Sequence, residues 1–414
     1  MATRPARLRV RMLGTFGALA LAAVGVSACG AAGGNHAASA PPVVTAASPA
    51  ASAAPATSPP TMVNDPAQLV LRPPIGQDAG GHQLMPGVAS FQPAKPGAKV
   101  TVERSSDGEK WTPAATGEQD KDGEFVFQVS ASSDTNAPSY RATSDSGNGP
   151  ITTGSVSSSP WKLVWGDDFD GTSLGSDWTV LPTGAYAGRT CASATADMGT
   201  VHDGYAVIGV AHDPSTTPAV SGKICPSGKY FNAQFGTQNS HTFTYGVLAA
   251  RLKYEHAEGM HASFWMLPGG TGPANPAPDN PAQTGVEVDI TEYFGDDFGA
   301  GVGNGDYHAY VYWPQRQANG AITSVKTGGA QDFKKYYPGS MPSDGYHVYS
   351  VEWTPTQYIF RLDGVETSRL TVGVSQRPEY LLLSLLTSDW EVPKLTAGQV
   401  PASMSVDWVR AWQQ

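Results

Sequence analysis

Three carboxylates crowd one short segment, Glu287-Val288-Asp289-Ile290-Thr291-Glu292, which runs from Gly285 to Tyr293 with its flanks. The residues between them are β-branched and favour a strand, where acids are depleted and like charges on one face repel. Such crowding needs a compensating role. Side chains two apart in a strand share a face, so Glu287 and Asp289 point together, whereas Glu292 would point away. One extra residue near Thr291, a β-bulge, turns Glu292 back and leaves about four strand steps, roughly 13 Å, between the two glutamate backbones. Side chains leaning toward each other then bring the carboxyls to about 5 Å, the separation of nucleophile and acid/base in retaining glycoside hydrolysis. In that division Glu287 attacks the anomeric carbon, and Glu292 protonates the leaving oxygen and later activates water. Asp289 holds a proton or hydrogen bond between them. Desolvation by Tyr293 and Phe294 raises the pKa that Glu292 needs as an acid. From spacing alone, a solvated acidic face and a calcium site remain open as other readings of these carboxylates.

Strands have to position this trio. Runs at 245–254, 263–267, 285–293, 307–313, 346–353, 358–362, 380–386 and 403–412 read as strands separated by turns, with almost no sustained helical period. About 255 residues of this kind, 158–414, fit one large all-β domain, a jelly-roll sandwich. Upstream, residues 65–155 alternate in short runs broken by Asp107-Gly108 and Asp122-Gly123, which are hairpin signals. Val100 with Val102, and Phe125 with Phe127, share faces. This predicts a small immunoglobulin-like or fibronectin-like β-sandwich without catalytic residues, acting as a spacer.

The first 28 residues carry Arg4, Arg7, Arg9 and Arg11, then an apolar run from Met12 to Val26, and read as an export signal. That run is too short to cross a bilayer as a helix. Cys29 follows small residues and resembles the lipidated cysteine of bacterial lipoproteins, which predicts an extracellular protein with a lipid anchor; ordinary cleavage near Ala28, giving a secreted protein, is the other reading. Residues 29–64 are rich in Ala, Pro, Ser and Thr and form a tether. The remaining cysteines, Cys191 and Cys225, pair as a disulfide in an oxidising compartment. The formal charge of −10 includes the four leader arginines. So acidic a body argues against nucleic acid and anionic membrane surfaces as partners. Gly299, Gly301, Gly303 and Gly305 alternate after the acidic strand, but no helix follows to make a phosphate cradle.

The acidic segment resembles the bulged E-x-D-x-x-E signature of glycoside hydrolase family 16, the laminarinase-like retaining endo-glycanases with a jelly-roll fold. The resemblance extends to Leu163–Asp170, to Tyr245–Arg251 with Ala262–Leu267, to His347–Trp353 and to Ser405–Arg410, and so covers roughly residues 160 to 414. It implies that Glu287 is the nucleophile, Asp289 the assisting acid and Glu292 the acid/base, and that Trp265 packs under the sugar. His308, Tyr310 and Tyr312 share one face and would line the cleft beside them. His261 stands where a second stacking tryptophan is common, which removes a platform for β-1,3-glucan. The resemblance also implies a structural calcium at Asp168, Gly204 and Asp407, although Asp168 replaces a commoner glutamate. No cofactor is needed for the chemistry. The expected protein is a monomeric endo-hydrolase of a β-linked polysaccharide, β-1,3- or mixed-linkage glucan. A galactanase or transglycosylase of the same family, and a non-catalytic carbohydrate-binding surface protein, are the alternatives.

Overall fold

The computed structural model describes residues 66–131, 138–145, 149–156, 161–181, 188–214, 219–220, 223–224, 228–270, 272–298, 305–396 and 398–414. The expected export signal, the tether, Cys29, Cys225 and the glycines at 299, 301 and 303 lie outside them.

The N-terminal part is built from β1 (Ala67–Leu71), β2 (Gly76–Gln77), β3 (Gln83–Phe91), β4 (Lys99–Ser105), β5 (Thr112–Glu118), β6 (Glu124–Ser130), β7 (Ser139–Asp145) and β8 (Pro150–Thr152). β1, β2 and β6 pair with β3 in one sheet, and β5, β4, β7 and β8 follow in that order in the other. Val100 and Val102 from one sheet meet Phe91 and Phe127 from the other in one apolar core. The alternation in the sequence thus produces two antiparallel layers.

The larger part uses thirteen principal strands among the described residues: β9 (Lys162–Asp167), β10 (Tyr205–Asp213), β11 (Lys229–Gly236), β12 (Gly246–Lys253), β13 (His261–Pro268), β14 (Glu287–Tyr293), β15 (Tyr307–Arg316), β16 (Ile322–Gln331), β17 (His347–Trp353), β18 (Tyr358–Leu362), β19 (Val365–Leu370), β20 (Glu379–Leu386) and β21 (Ala402–Gln413). The front layer runs β16-β15-β14-β13-β20-β11 and the back layer β10-β21-β12-β17-β18-β19. The end of β10 crosses from one to the other, pairing Ala211 with Phe231 at the rim. The result is the all-β jelly-roll sandwich that the strand pattern predicts. β9, β10, β11, β16 and β19 are strands that pattern alone does not mark.

Phe264, Met266, Val288, Ala309, Val311, Leu381, Leu383 and Leu385 point from the front layer into the core, against Leu248, Ala250, Val351, Phe360 and Val406 of the back layer. With a period of two, their neighbours must project from the front face. The outer face of the back layer is also apolar. Val247, Ala249, Val348, Trp408 and Trp412 gather there around Ile75, which comes from the N-terminal part and is fully buried. Polar links rim this patch: Arg72 Nε to Glu352 at 3.1 Å, Gln128 Nε2 to the Asp363 carbonyl at 2.9 Å, and Arg251 Nε to Gln77 Oε1 at 3.0 Å. The N-terminal sandwich is therefore docked on the back layer, not only strung before it.

Candidate active site

Glu287 pairs with Tyr312, Asp289 with Tyr310 and Glu292 with His308. β14 advances three residues from Asp289 to Glu292 while β15 advances two, which defines a bulge of one extra residue. Against β13, Thr291 opposes Phe264 and Asp289 opposes Trp265, so Ile290 is the residue left without a partner. Its side chain is 2% exposed and joins the core between the layers. Glu292 opposes Ser263, whose neighbours Ala262 and Phe264 are core residues, so Glu292 shares the front face with Glu287 and Asp289.

The three acids are crowded and dry. Asp289 and Glu292 are 3% and 7% exposed, and one oxygen of each, Asp289 Oδ2 and Glu292 Oε2, has no hydrogen-bond partner. Burial, followed by repulsion from Glu292, pushes Glu287 up to about 8. Burial, followed by repulsion from both glutamates, holds Asp289 well above the carboxylate range. Burial also raises Glu292, with Glu391 adding to the rise and the positive charges of Lys326 and Arg189 opposing it. Such a trio titrates as one unit and retains protons near neutrality, so a protonated acid and an ionised nucleophile can stand side by side.

Aromatic rings flank the acids. His308 stacks on Tyr310 at 5.6 Å, and Tyr310 meets Tyr312 at 5.9 Å, so the three form a ladder in register with the acids. Lys326 caps the Tyr310 ring at 4.3 Å. Burial and Lys326 push His308 down to about 4, which keeps it neutral, and its Nδ1 lacks a partner. Trp265 opposes Asp289, is 6% exposed and donates its Nε1–H to Ser384 Oγ at 3.1 Å, so it forms part of the cleft floor. Beyond Glu292, Phe294 stacks with Phe298 at 4.6 Å and approaches Trp390 at 6.0 Å, making an aromatic wall.

His261 is held by protein on both sides of its ring. Its Nε2 meets Arg189 Nη2 at 2.9 Å and its Nδ1 meets the Glu391 carboxylate at 2.8 Å. Both ring nitrogens are engaged with protein, so it anchors a wall of the site and does not offer hydrogen bonds to a sugar.

Sequence reasoning misses a polar row on the same face. Glu292 opposes Ser263, Ser263 opposes Ser384, and Ser384 opposes Gln234 on β11. Three strand spacings, about 14 Å, separate the ends of this row. Ser263 Oγ, Gln234 Nε2 and, beside it, Asn232 Nδ2 are buried without a hydrogen-bond partner. The Asn232 carbonyl oxygen accepts from Thr387 Oγ1 at 3.2 Å, leaving its amide N–H groups for another acceptor. Buried donors without partners are costly, which marks this row as a place where a hydroxyl-rich molecule completes the bonding. The only sequence signal was the alternation Asn232-Ala233-Gln234-Phe235.

The expected calcium residues lie together on the back side, in a cleft that also holds Asp170, Asp203, Arg251 and Arg410. They do not make an oxygen cage. Arg410 donates to Asp168 Oδ1 through Nε at 3.0 Å and Nη2 at 2.7 Å, and Arg251 Nη1 donates to Asp407 Oδ2 at 2.7 Å. Two guanidiniums neutralise the carboxylates that a divalent cation would need, so the residues present do not fit calcium. Among the described residues, no group of three His, Cys, Asp or Glu is placed to hold a metal.

Residues 215–410 match the profile of Glycosyl hydrolases family 16. The chain is 24% identical over 286 residues to glucan endo-1,3-beta-glucosidase A1 of Niallia circulans, covering 61% of this chain and 38% of that protein. It is 27% identical over 281 residues to a beta-glucanase of Rhodothermus marinus, covering 61% of this chain and 85% of that protein. A third relative, endo-1,3-1,4-beta-glycanase EglC of Rhizobium meliloti, is 24% identical over 185 residues, covering 44% of this chain and 33% of its own length. The chain thus spans well under half of the first and third of these relatives. Among solved structures, the laminarinase catalytic domain of Thermotoga maritima aligns with a TM-score of 0.48 at 19% identity, over 61% of this chain and 98% of that one.

Proposed function

We propose that this chain, which belongs to glycosyl hydrolases family 16 through residues 215–410, is a retaining endo-hydrolase of a β-linked glucan. One observation carries the reading: the bulge at Ile290 brings Glu287, Asp289 and Glu292 to one face of the front layer. Glu292 gives its proton to the glycosidic oxygen as that bond breaks, and Glu287 attacks the anomeric carbon to form a glycosyl-enzyme ester. Water enters after the leaving chain departs; Glu292, now ionised, takes its proton while the oxygen attacks the anomeric carbon and frees Glu287. Asp289 stands between the two glutamates, and burial with repulsion from both favours its protonated form there. None of these steps requires a cofactor. The relatives named above support β-1,3- or mixed-linkage glucan as substrate.

In this reading the signal at 1–28 exports the protein, Cys29 anchors it to the bacterial membrane by lipid, and residues 29–64 are the tether. The sandwich at 65–155 is an immunoglobulin-like module before a catalytic domain at 158–414, and Cys191 pairs with Cys225. The protein works as a monomer on an extracellular polysaccharide.

Two substitutions test the roles. Glu287→Gln abolishes turnover and keeps polysaccharide binding; unchanged activity rejects the nucleophile. Glu292→Ala loses natural polymers but keeps part of its rate on glycosides with good leaving groups, and equal loss on both rejects the acid.

A further inference from the structure

A buried arginine reaches the Glu292 end of the cleft from outside the front layer. Arg189 is 3% exposed and lies just before the short strand Ala192–Ala194. Its Nη2 donates to His261 Nε2 at 2.9 Å and its Nε donates to Ser388 Oγ at 3.2 Å. A guanidinium has N–H donors and no acceptor, so His261 Nε2 must present its lone pair. The imidazole proton then sits on Nδ1 and is donated to the Glu391 carboxylate, whose oxygens lie 2.8 and 2.9 Å away. Glu391, 1% exposed, also accepts the Ser388 backbone N–H at 2.7 Å. His261 is thereby fixed as the neutral Nδ1–H tautomer, oriented by a carboxylate on one side and holding an arginine on the other.

The backbone around this chain of bonds is fastened too. Thr190 donates from its N–H and its hydroxyl to Asp389 Oδ1 at 2.7 and 2.9 Å, and Asp389 N–H donates to the Gly188 carbonyl at 2.8 Å. Residues 188–190 and 387–391 form a clamp with Arg189 inside it. His261 lies on β13 two residues from Ser263, the residue opposite Glu292, so both project from the same face. The Arg189 charge reaches both Glu287 and Glu292 and favours their ionised forms.

We propose that Arg189 is a positioning residue of the catalytic pair: the His261–Glu391 dyad and Ser388 hold its permanent positive charge at fixed range from Glu287 and Glu292. The inference rests on the hydrolase reading given above. Burial and mutual repulsion work against ionising Glu287, and a charge fixed by protein bonds offsets them without moving during the reaction. The groups facing Glu292 are Glu287 and Asp289 on its own strand, His261 from β13, His308 from β15, Lys326 from β16, and Glu391 and Arg189 from the clamp.

The test is the pH profile of kcat/KM on a soluble β-glucan for the full chain and for Arg189→Met. Loss of the charge moves both limbs to higher pH by roughly one unit, and Arg189→Lys restores part of the shift. A rate that falls equally at every pH, with both limbs unmoved, overturns the proposal. Should Arg189→Met not fold, Ser388→Ala loosens the clamp at one bond and moves the limbs the same way by less; unmoved limbs there also overturn it. Carbon-13 titration of the glutamate side-chain carboxyls reads the shift without substrate. A protein that cleaves no glucan yet shows the titration shift retains the clamp and loses the hydrolase reading. One that cleaves glucan without the shift does the reverse.

Discussion

Glu287 and Glu292 stand five residues apart on their own strand, yet they oppose Tyr312 and His308, which are four apart on the next. That difference of one residue puts two carboxyls on a single face. The core side chain of Ile290 and the neutral His308 opposite Glu292 flank this arrangement.

Deleting Ile290 is the direct test of the bulge. With Ile290 removed, Glu292 stands four residues from Glu287, so a regular β14 keeps both on the front face while the core loses one Ile side chain. The unfolding midpoint in urea is expected to drop, as for other core truncations of about 2–5 kcal/mol, while hydrolysis survives at a reduced rate. A folded deletion variant with no hydrolysis at all means that a shared face is not what the bulge supplies.

The polar row predicts a separation of function from stability. Gln234→Ala removes a buried amide whose Nε2 makes no hydrogen bond, so thermal stability should stay level or rise. The value of kcat/KM on polysaccharide should fall about tenfold, the loss of one hydrogen bond to substrate. A destabilised variant with unchanged kinetics would place Gln234 in the scaffold alone.

Much of this site was legible from residue types and much was not. The trio announced itself because acids in a β-branched run are improbable without a role, and the same incongruity located the bulge. Val100, Val102 and Phe127 likewise gave the small sandwich by alternation alone. Arg189, Glu391 and Gln234 carried no such signal. Each is an ordinary polar residue locally, and only strand order brings β11 next to β20, two strands from β13, and the 387–391 loop against His261 of β13. The arginines beside the expected calcium residues were hidden for the same reason, since Arg251 and Arg410 reach Asp407 and Asp168 across the back layer and 156 and 242 residues of chain.

Stability should follow one buried acid away from the trio. Glu379 is fully buried, accepts the Val286 N–H at 3.2 Å, and is pushed up to about 8 by burial. The folded protein holds a proton there that the unfolded chain releases near the ordinary glutamate value, so this contribution is complete below about pH 4.5 and lost as pH rises toward 8. Melting temperature should therefore decline from pH 5 to 8, and Glu379→Gln should flatten that decline. An unaltered slope removes Glu379 as its source.

Because guanidiniums occupy Asp168 and Asp407, a chelator should leave the melting temperature where it was. Arg410→Ala should cost less than about 1 kcal/mol, as solvent-exposed ion pairs do. A marked drop with chelator that calcium restores would show that the arginines give way to a cation.

The measurement closest to the central claim is proton NMR of the first product released from laminarin or lichenan, recorded before mutarotation. Two carboxylates placed for double displacement predict that the new reducing end appears as the β-anomer. An initial α-anomer would mean that water attacks directly, and that Glu287 and Glu292 are too far apart for the chemistry assigned to them.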